Sequence, residues 1–257
     1  DSGGGAGIQA DLKTFHAFGV FGTSVVTAIT AQNTLGVQAV HPVPVDVVHA
    51  QIRSLAGDLR PGAFKTGMLA TAALVELVAD AILDERLPRY VLDPVMISTS
   101  GHRLLDDDAR RTIVERLLPL CEVVTPNLPE AAALLGEDRD TVDGTDAEVL
   151  LRDYARRLVD AGARAALVKG GHIEGDEVVD VLWDGKEDRV WRRPRLHTRS
   201  THGTGCTLSA GITAGLALGH PIDVSVERAL DFVARAIAAA PGLGAGHGPL
   251  NHFVPSD

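Results

Sequence analysis

From Tyr90 onward, short runs of apolar residues alternate with longer segments in which apolar positions recur at helical spacing opposite charged ones. The first pattern suits strands buried on both faces and the second amphipathic helices; their alternation specifies a parallel sheet covered by helices on both sides. Strands are predicted over residues 23–30, 63–67, 90–95, 122–125 and 165–169. Helices are predicted over residues 45–59, 72–86, 106–117, 128–135 and 147–161, with two more at about 205–218 and 224–239. One stretch departs from the alternation: residues 178–183 and 188–192 flank Asp184-Gly185, a tight-turn pair, and predict an antiparallel ribbon at a sheet edge. No repeat, low-complexity tract or linker divides the chain, so one α/β domain over residues 1–257 is expected. The Asp/Glu-rich segment 136–146 reads as a solvated surface loop.

Composition narrows the function classes. A chain of 257 residues, 45% hydrophobic, buries a full core. Its net charge of −10 offers no basic surface for nucleic acid or anionic lipid, although a nucleotide needs only a local cradle of amides and one or two cations. Cys121 and Cys206 lie far apart and offer neither a disulfide framework nor a zinc spacing, which fits a reducing cytoplasm. No apolar run approaches membrane-spanning length. The chain opens on Asp-Ser-Gly-Gly-Gly-Ala-Gly, and because a phosphate-type loop normally follows a strand, a short strand upstream of Asp1 is expected.

The candidate chemistry begins where glycines meet helix starts. In Thr201-His202-Gly203-Thr204-Gly205-Cys206, glycines let backbone N–H groups converge and the following helix adds its dipole, so the segment should stabilise an anion or a phosphoryl group in transfer. Neither a Walker sequence nor G-x-G-x-x-G is present, so phosphate binding requires another kinase architecture. Cys206, in the first turn, is expected to have a lowered thiol pKa. It reads as a small core residue, as the nucleophile of a Cys–His hydrolase with His202 as base, or as a base or orienter beside an anion hole.

A second glycine-rich loop, residues 2–7, enters a helix carrying Asp11, either a favourable charge near a helix start or a ligand contact. Gln32 follows an apolar strand, and Asp93 closes the strand before it, both at the crevice where parallel sheets bind ligands. Asn127 and Glu130 read as a helix cap, yet the carboxylate also suits Mg²⁺ beside a triphosphate. Lys169, before two glycines, is either solvated or a phosphate contact.

In order, S-G-G-G-A-G-I-Q-A-D-L-K-T-F, T-A-Q-N-T-L-G-V, K-T-G-M-L, D-P-V-M, T-P-N-L-P-E-A-A, K-G-G-H, T-H-G-T-G-C-T-L-S-A and G-H-G-P-L-N-H-F span essentially the whole chain. Together they resemble the hydroxymethylpyrimidine and phosphomethylpyrimidine kinases of thiamine biosynthesis, in the ribokinase-like superfamily. The resemblance implies a three-layer α/β/α sandwich, an ATP- and Mg²⁺-dependent kinase, a small aminopyrimidine alcohol and its monophosphate as acceptors, and a homodimer. It puts Asp11, Gln32, Met68, Val95 and Gly5 at the pyrimidine, and Gly203, Thr204, Gly205 and Cys206 under the transferring phosphoryl group. Asp93 and Glu130 would organise Mg²⁺, with Lys169, Asn127 and Thr201 at the nucleotide. Pyridoxal, another flat ring bearing a hydroxymethyl, is the alternative acceptor. Thr99 and His102, in a loop at residues 98–104, stand where relatives often carry other polar residues, including lysine.

Overall fold

The computed structural model describes residues 1–96, 107–137 and 147–256. Thr99, His102, the first residue of the helix predicted at 106, and most of segment 136–146 lie outside the described residues. Helix α1 (Gly7–Ala17) is followed by a hairpin of β1 (Ala28–Asn33) and β2 (Gly36–Pro42), then α2 (Val45–Asp58), β3 (Phe64–Thr66), α3 (Ala72–Asp84) and β4 (Tyr90–Leu92). Next come α4 (Asp107–Thr112), β5 (Val123–Val124), α5 (Leu128–Leu134), α6 (Ala147–Asp160) and β6 (Ala166–Lys169). The chain closes with β7 (Glu177–Trp183), β8 (Asp188–Pro194), α7 (Thr204–Ala217) and α8 (Ile222–Ala238).

Strands β3, β4, β5 and β6 are parallel and lie in sequence order, while β7 and β8 add antiparallel at the edge, as the Asp184-Gly185 turn predicts. The period of two along each strand sorts the core into two layers. Tyr90, Leu92, Val124, Ala166, Val168 and Val181 pack toward α2, α3, α5 and α6. Their neighbours Val91, Val123, Leu167 and Leu182 pack on the other face against Leu208, Ile212 and Leu216 of α7 and Val226, Ala229 and Leu230 of α8. Phe18, just past α1, packs with Ala214 of α7 and meets Phe232 of α8 edge-on, which holds α1 against these two helices.

Two sequence expectations change. The strand predicted over 23–30 is ordered as strand only from Ala28, and it pairs with β2 in a separate hairpin rather than joining the parallel sheet. Its predicted first half is held by side chains instead: Val26 N–H donates to Gln51 Oε1 at 2.9 Å, and Thr27 Oγ1 donates to the Met68 carbonyl at 3.0 Å. The helix entered at Asp107 first widens into a π turn (Ile113–Leu117) and then tightens into a 3₁₀ turn (Leu118–Leu120). Pro119 has no N–H to continue an α-helical ladder.

The C-terminal segment is pinned under α7. Asn251 N–H donates to the Ala236 carbonyl at 3.0 Å, and His252 Nε2 pairs with Thr207 Oγ1 at 3.0 Å. Burial foremost, with Lys13 adding, pushes His252 down to about 4 from its ordinary 6.5, against a smaller opposing pull from the Leu250 backbone. The folded state therefore holds a neutral ring while the unfolded chain takes up a proton near 6.5, so this contribution is complete above pH 6.5 and is lost as pH falls toward 4. Thermal unfolding at pH 7 and pH 4.5 is expected to show a smaller acid destabilisation in His252→Gln than in the wild type.

Candidate active site

The carboxyl ends of the parallel strands deliver the charged groups to one cleft. β4 ends at Leu92 and presents Asp93, 2% exposed; β6 ends on Lys169; β3 carries Lys65 between Phe64 and Thr66. Lys65 Nζ lies 2.8 Å from Asp11 Oδ1 on α1 and 3.8 Å from Asp93 Oδ2, and Lys169 Nζ lies 3.7 Å from Asp93 Oδ1. Ser209 Oγ on α7 completes the shell of Asp93 with a hydrogen bond of 3.0 Å. Charge thus alternates in a row from Asp11 through Lys65 and Asp93 to Lys169. Burying one such ion unpaired costs several kcal/mol, about what the alternation offsets. Burial pushes the Asp11 carboxyl up, and Lys65 pulls it back. For Lys65 the order reverses: burial works against the ammonium, but Asp11, Cys206 and Asp93 together hold its pKa above the ordinary value.

The two glycine-rich loops meet backbone to backbone. The Asp1 carboxylate accepts from the N–H groups of Gly3, Gly5 and Ala6 at 2.8, 3.1 and 2.9 Å, and from His202 Nε2 at 2.8 Å. Gly203, the N-cap of α7, has φ 87°, and a Cβ there would stand 1.9 Å from the Gly5 carbonyl oxygen. Only glycine fits that conformation and that gap. The first turn of α7, starting at Thr204, leaves N–H groups with no acceptor inside the helix, at the end where the dipole favours an anion. Lys169 Nζ stands 3.5 Å from the position a Cβ on Gly205 would take, so an ammonium sits beside that turn.

Cys206 departs from the sequence expectation of a lowered pKa. Burial pushes its thiol up to about 11; Lys65 and the Gly7 N–H oppose the shift, while Asp11 and Asp93 add to it. The helix start is outweighed by loss of water and by two neighbouring carboxylates. The Cys–His pair of the hydrolase reading does not form among the described residues, because His202 turns to Asp1.

The remaining expected residues are placed as follows. Gln32 lies at the β-bulge where the β1–β2 register shifts; its N–H is held by Ser2 Oγ at 2.9 Å, and its Oε1 accepts from Thr30 Oγ1 at 3.1 Å. A bulge re-aims a side chain, here toward the cleft that Met68 and Val95 also line. Gly5 packs against Gly203 and His202 and is not among the residues that line the cleft. Thr201 Oγ1 pairs with His247 Nδ1 at 3.3 Å. Asn127 and Glu130 form the reciprocal cap: Glu130 N–H donates to Asn127 Oδ1 and Asn127 N–H to Glu130 Oε2, both at 2.9 Å. Burial pushes Glu130 up to about 7, with Lys169 opposing and Asp93 adding.

No group of three His, Cys, Asp or Glu side chains converges as a metal cage among the described residues. The neighbouring carboxylates Asp93 and Glu130 still fit Mg²⁺, which commonly takes one or two protein carboxylates and completes its shell with waters and phosphate oxygens. Lys65, Ser209 and the Asp1–His202 pair were not singled out from sequence. Nor was Asp180, whose Oδ1 accepts the Gly170 N–H at 3.1 Å behind Lys169. A lysine inside the short apolar run 63–67 was the one available signal.

The model of the family described as phosphomethylpyrimidine kinase matches residues 1–251. The chain is 49% identical over 257 residues to a hydroxymethylpyrimidine/phosphomethylpyrimidine kinase of Rhizobium meliloti, covering 98% of this chain and 94% of that one. It is 46% identical over 255 residues to the enzyme of the same name from Bacillus subtilis, covering 99% and 92%. Among solved structures, an ADP complex of Bacillus subtilis pyridoxal kinase superposes with a TM-score of 0.89 at 36% identity, covering 98% of this chain and 94% of that one.

Gly203→Ala should lose about 3 kcal/mol or more in urea unfolding, because left-handed strain and the overlap with Gly5 add together. Loss of phosphoryl-transfer activity should accompany it even at temperatures where the variant stays folded.

Proposed function

The chain belongs to the phosphomethylpyrimidine kinase family, and from that premise we propose that it transfers the γ-phosphoryl group of ATP to hydroxymethylpyrimidine and then to the resulting monophosphate, in the cytoplasm and as a homodimer. The observation that carries this reading is the convergence of the α7 start, Lys169 and Asp93 in the cleft that Asp11, Gln32, Met68 and Val95 also line. Asp11 accepts from the exocyclic amino group of the ring, and Gln32, which both donates and accepts, reads the adjoining ring nitrogen. Met68 and Val95 supply the apolar wall for a flat ring.

The hydroxymethyl group then lies at Cys206. Because burial keeps that thiol protonated, Cys206 orients the hydroxyl rather than removing its proton. Phosphoryl transfer relies on alignment and charge neutralisation more than on a strong base, so an orienter suffices: the new O–P bond forms as the bond to ADP breaks, and the hydroxyl proton passes to an oxygen of the transferred phosphoryl group. The amides of residues 203–206 and the Lys169 ammonium hold the phosphoryl group in transfer, and Asn127 and Thr201 border the nucleotide. Asp93 and Glu130 would hold Mg²⁺, which supplies charge neutralisation between the phosphates when bound. In the second step the monophosphate offers a phosphate oxygen where the alcohol stood before.

Pyridoxal is the second reading, favoured by the likeness to a solved pyridoxal kinase. Steady-state assays with each alcohol decide the ranking: hydroxymethylpyrimidine is expected to have the larger kcat/KM, and a reversal makes the chain a pyridoxal kinase first. Long incubation should yield the pyrimidine diphosphate, with turnover abolished by chelating Mg²⁺. Cys206→Ala should lower kcat by about tenfold or more, within or below the range for a positioned proton-handling group, with thermal stability nearly intact. Unchanged turnover would remove Cys206 from the mechanism.

A further inference from the structure

Lys65 takes no part in the mechanism above, yet it is placed as carefully as any residue that does. Its neighbours in β3 are occupied with packing: the Phe64 ring stacks on Tyr90 at 4.9 Å, and Thr66 Oγ1 shares a 2.6 Å hydrogen bond with the Tyr90 hydroxyl. Alternation along the strand turns Lys65 the other way, into the cleft, with its side chain only 5% exposed. An ammonium in that position costs stability unless its partners need it.

The partners differ in how much they depend on it. Asp93 would keep a counter-cation without Lys65, since Lys169 stands 3.7 Å away and Ser209 donates at 3.0 Å. Asp11 would not: among the described residues its one hydrogen bond and one ion pair are both to Lys65, through Oδ1. That contact engages Oδ1 and leaves Oδ2 without a hydrogen bond among the described residues.

We propose that Lys65 is a positioning residue for acceptor recognition: by gripping Asp11 Oδ1 at 2.8 Å while braced against Asp93, its ammonium holds Asp11 as an oriented acceptor for the amino group of the ring. This rests on the reading that Asp11 contacts the acceptor. Because Asp93 retains its own partners, loss of Lys65 falls on acceptor binding more than on transfer, a split that general damage to the fold would not produce.

The test is steady-state kinetics on the full chain with hydroxymethylpyrimidine as acceptor and saturating Mg-ATP. Lys65→Met is expected to raise the acceptor KM about tenfold or more, the scale of one charge-assisted hydrogen bond, with kcat reduced less than about threefold. Lys65→Arg should recover most of the loss. Asp11→Asn should raise KM by a similar factor, and the double variant Asp11→Asn with Lys65→Met should be no worse than Asp11→Asn alone. An unchanged KM in Lys65→Met, a fall in kcat alone, or additive losses in the double variant would overturn the proposal. Should Lys65→Met not fold, the double variant, which removes both charges together, carries the same comparison against Asp11→Asn. If Asp11→Asn leaves KM unaltered, the contact between Asp11 and the ring is refuted, and the role of Lys65 falls with it; if Asp11→Asn raises KM while Lys65→Met does not, only the role of Lys65 falls.

Discussion

The carbonyl oxygen of Gly5 occupies the space that a side chain at residue 203 would need, and the helix that follows residue 203 is aimed by that contact. The Asp1 carboxylate keeps the two loops together by binding amides of its own loop and the imidazole of His202. Since the loops come from opposite ends of the chain, the amides of α7 and the α1 residue Asp11 are set relative to one another before any ligand arrives. A cradle of this kind gains from rigidity, because donors already in place need no reorganisation as charge develops.

Electrostatics extend the same logic. Asp93 sits between two ammonium groups and under a serine hydroxyl, so a carboxylate with almost no exposure stays paired on every side. Glu130 is in a different condition, pushed up to about 7 and tied by one oxygen to its helix cap. A divalent cation at the proposed metal site would draw Glu130 toward its ionised form.

Much of the architecture was legible because burial on both faces leaves a plain mark, a short apolar run: those around 63–67, 90–95, 122–125 and 165–169 became β3, β4, β5 and β6, and Asp184-Gly185 marked the ribbon. The stretch 23–30 misled because an apolar run reports burial but not pairing; Gln51, an unremarkable helix residue in sequence, supplies the hydrogen bonds that a neighbouring strand would otherwise give. In the site, Gly203, Asp93 and Lys169 were readable from their places at strand ends and a helix start. Lys65 and Ser209 were not, since each matters through a partner far away in sequence. The expected thiolate at Cys206 failed for a physical reason as well: a helix terminus was visible in the sequence, whereas the depth of burial was not.

The cleft is divided between a floor and walls of different tolerance. Residues 5 and 203 interlock with no room for a single added carbon, whereas Gln32, Met68 and Val95 line the cleft from a hairpin and two strand-end loops. Under the proposed function, substitutions at Gln32 and Met68 act on the choice of ring at positions free of the glycine interlock. A scaffold partitioned in this way lends itself to divergence among vitamin-like alcohols, and redesign toward a new acceptor belongs on the hairpin and loops, with the glycine floor left as it is.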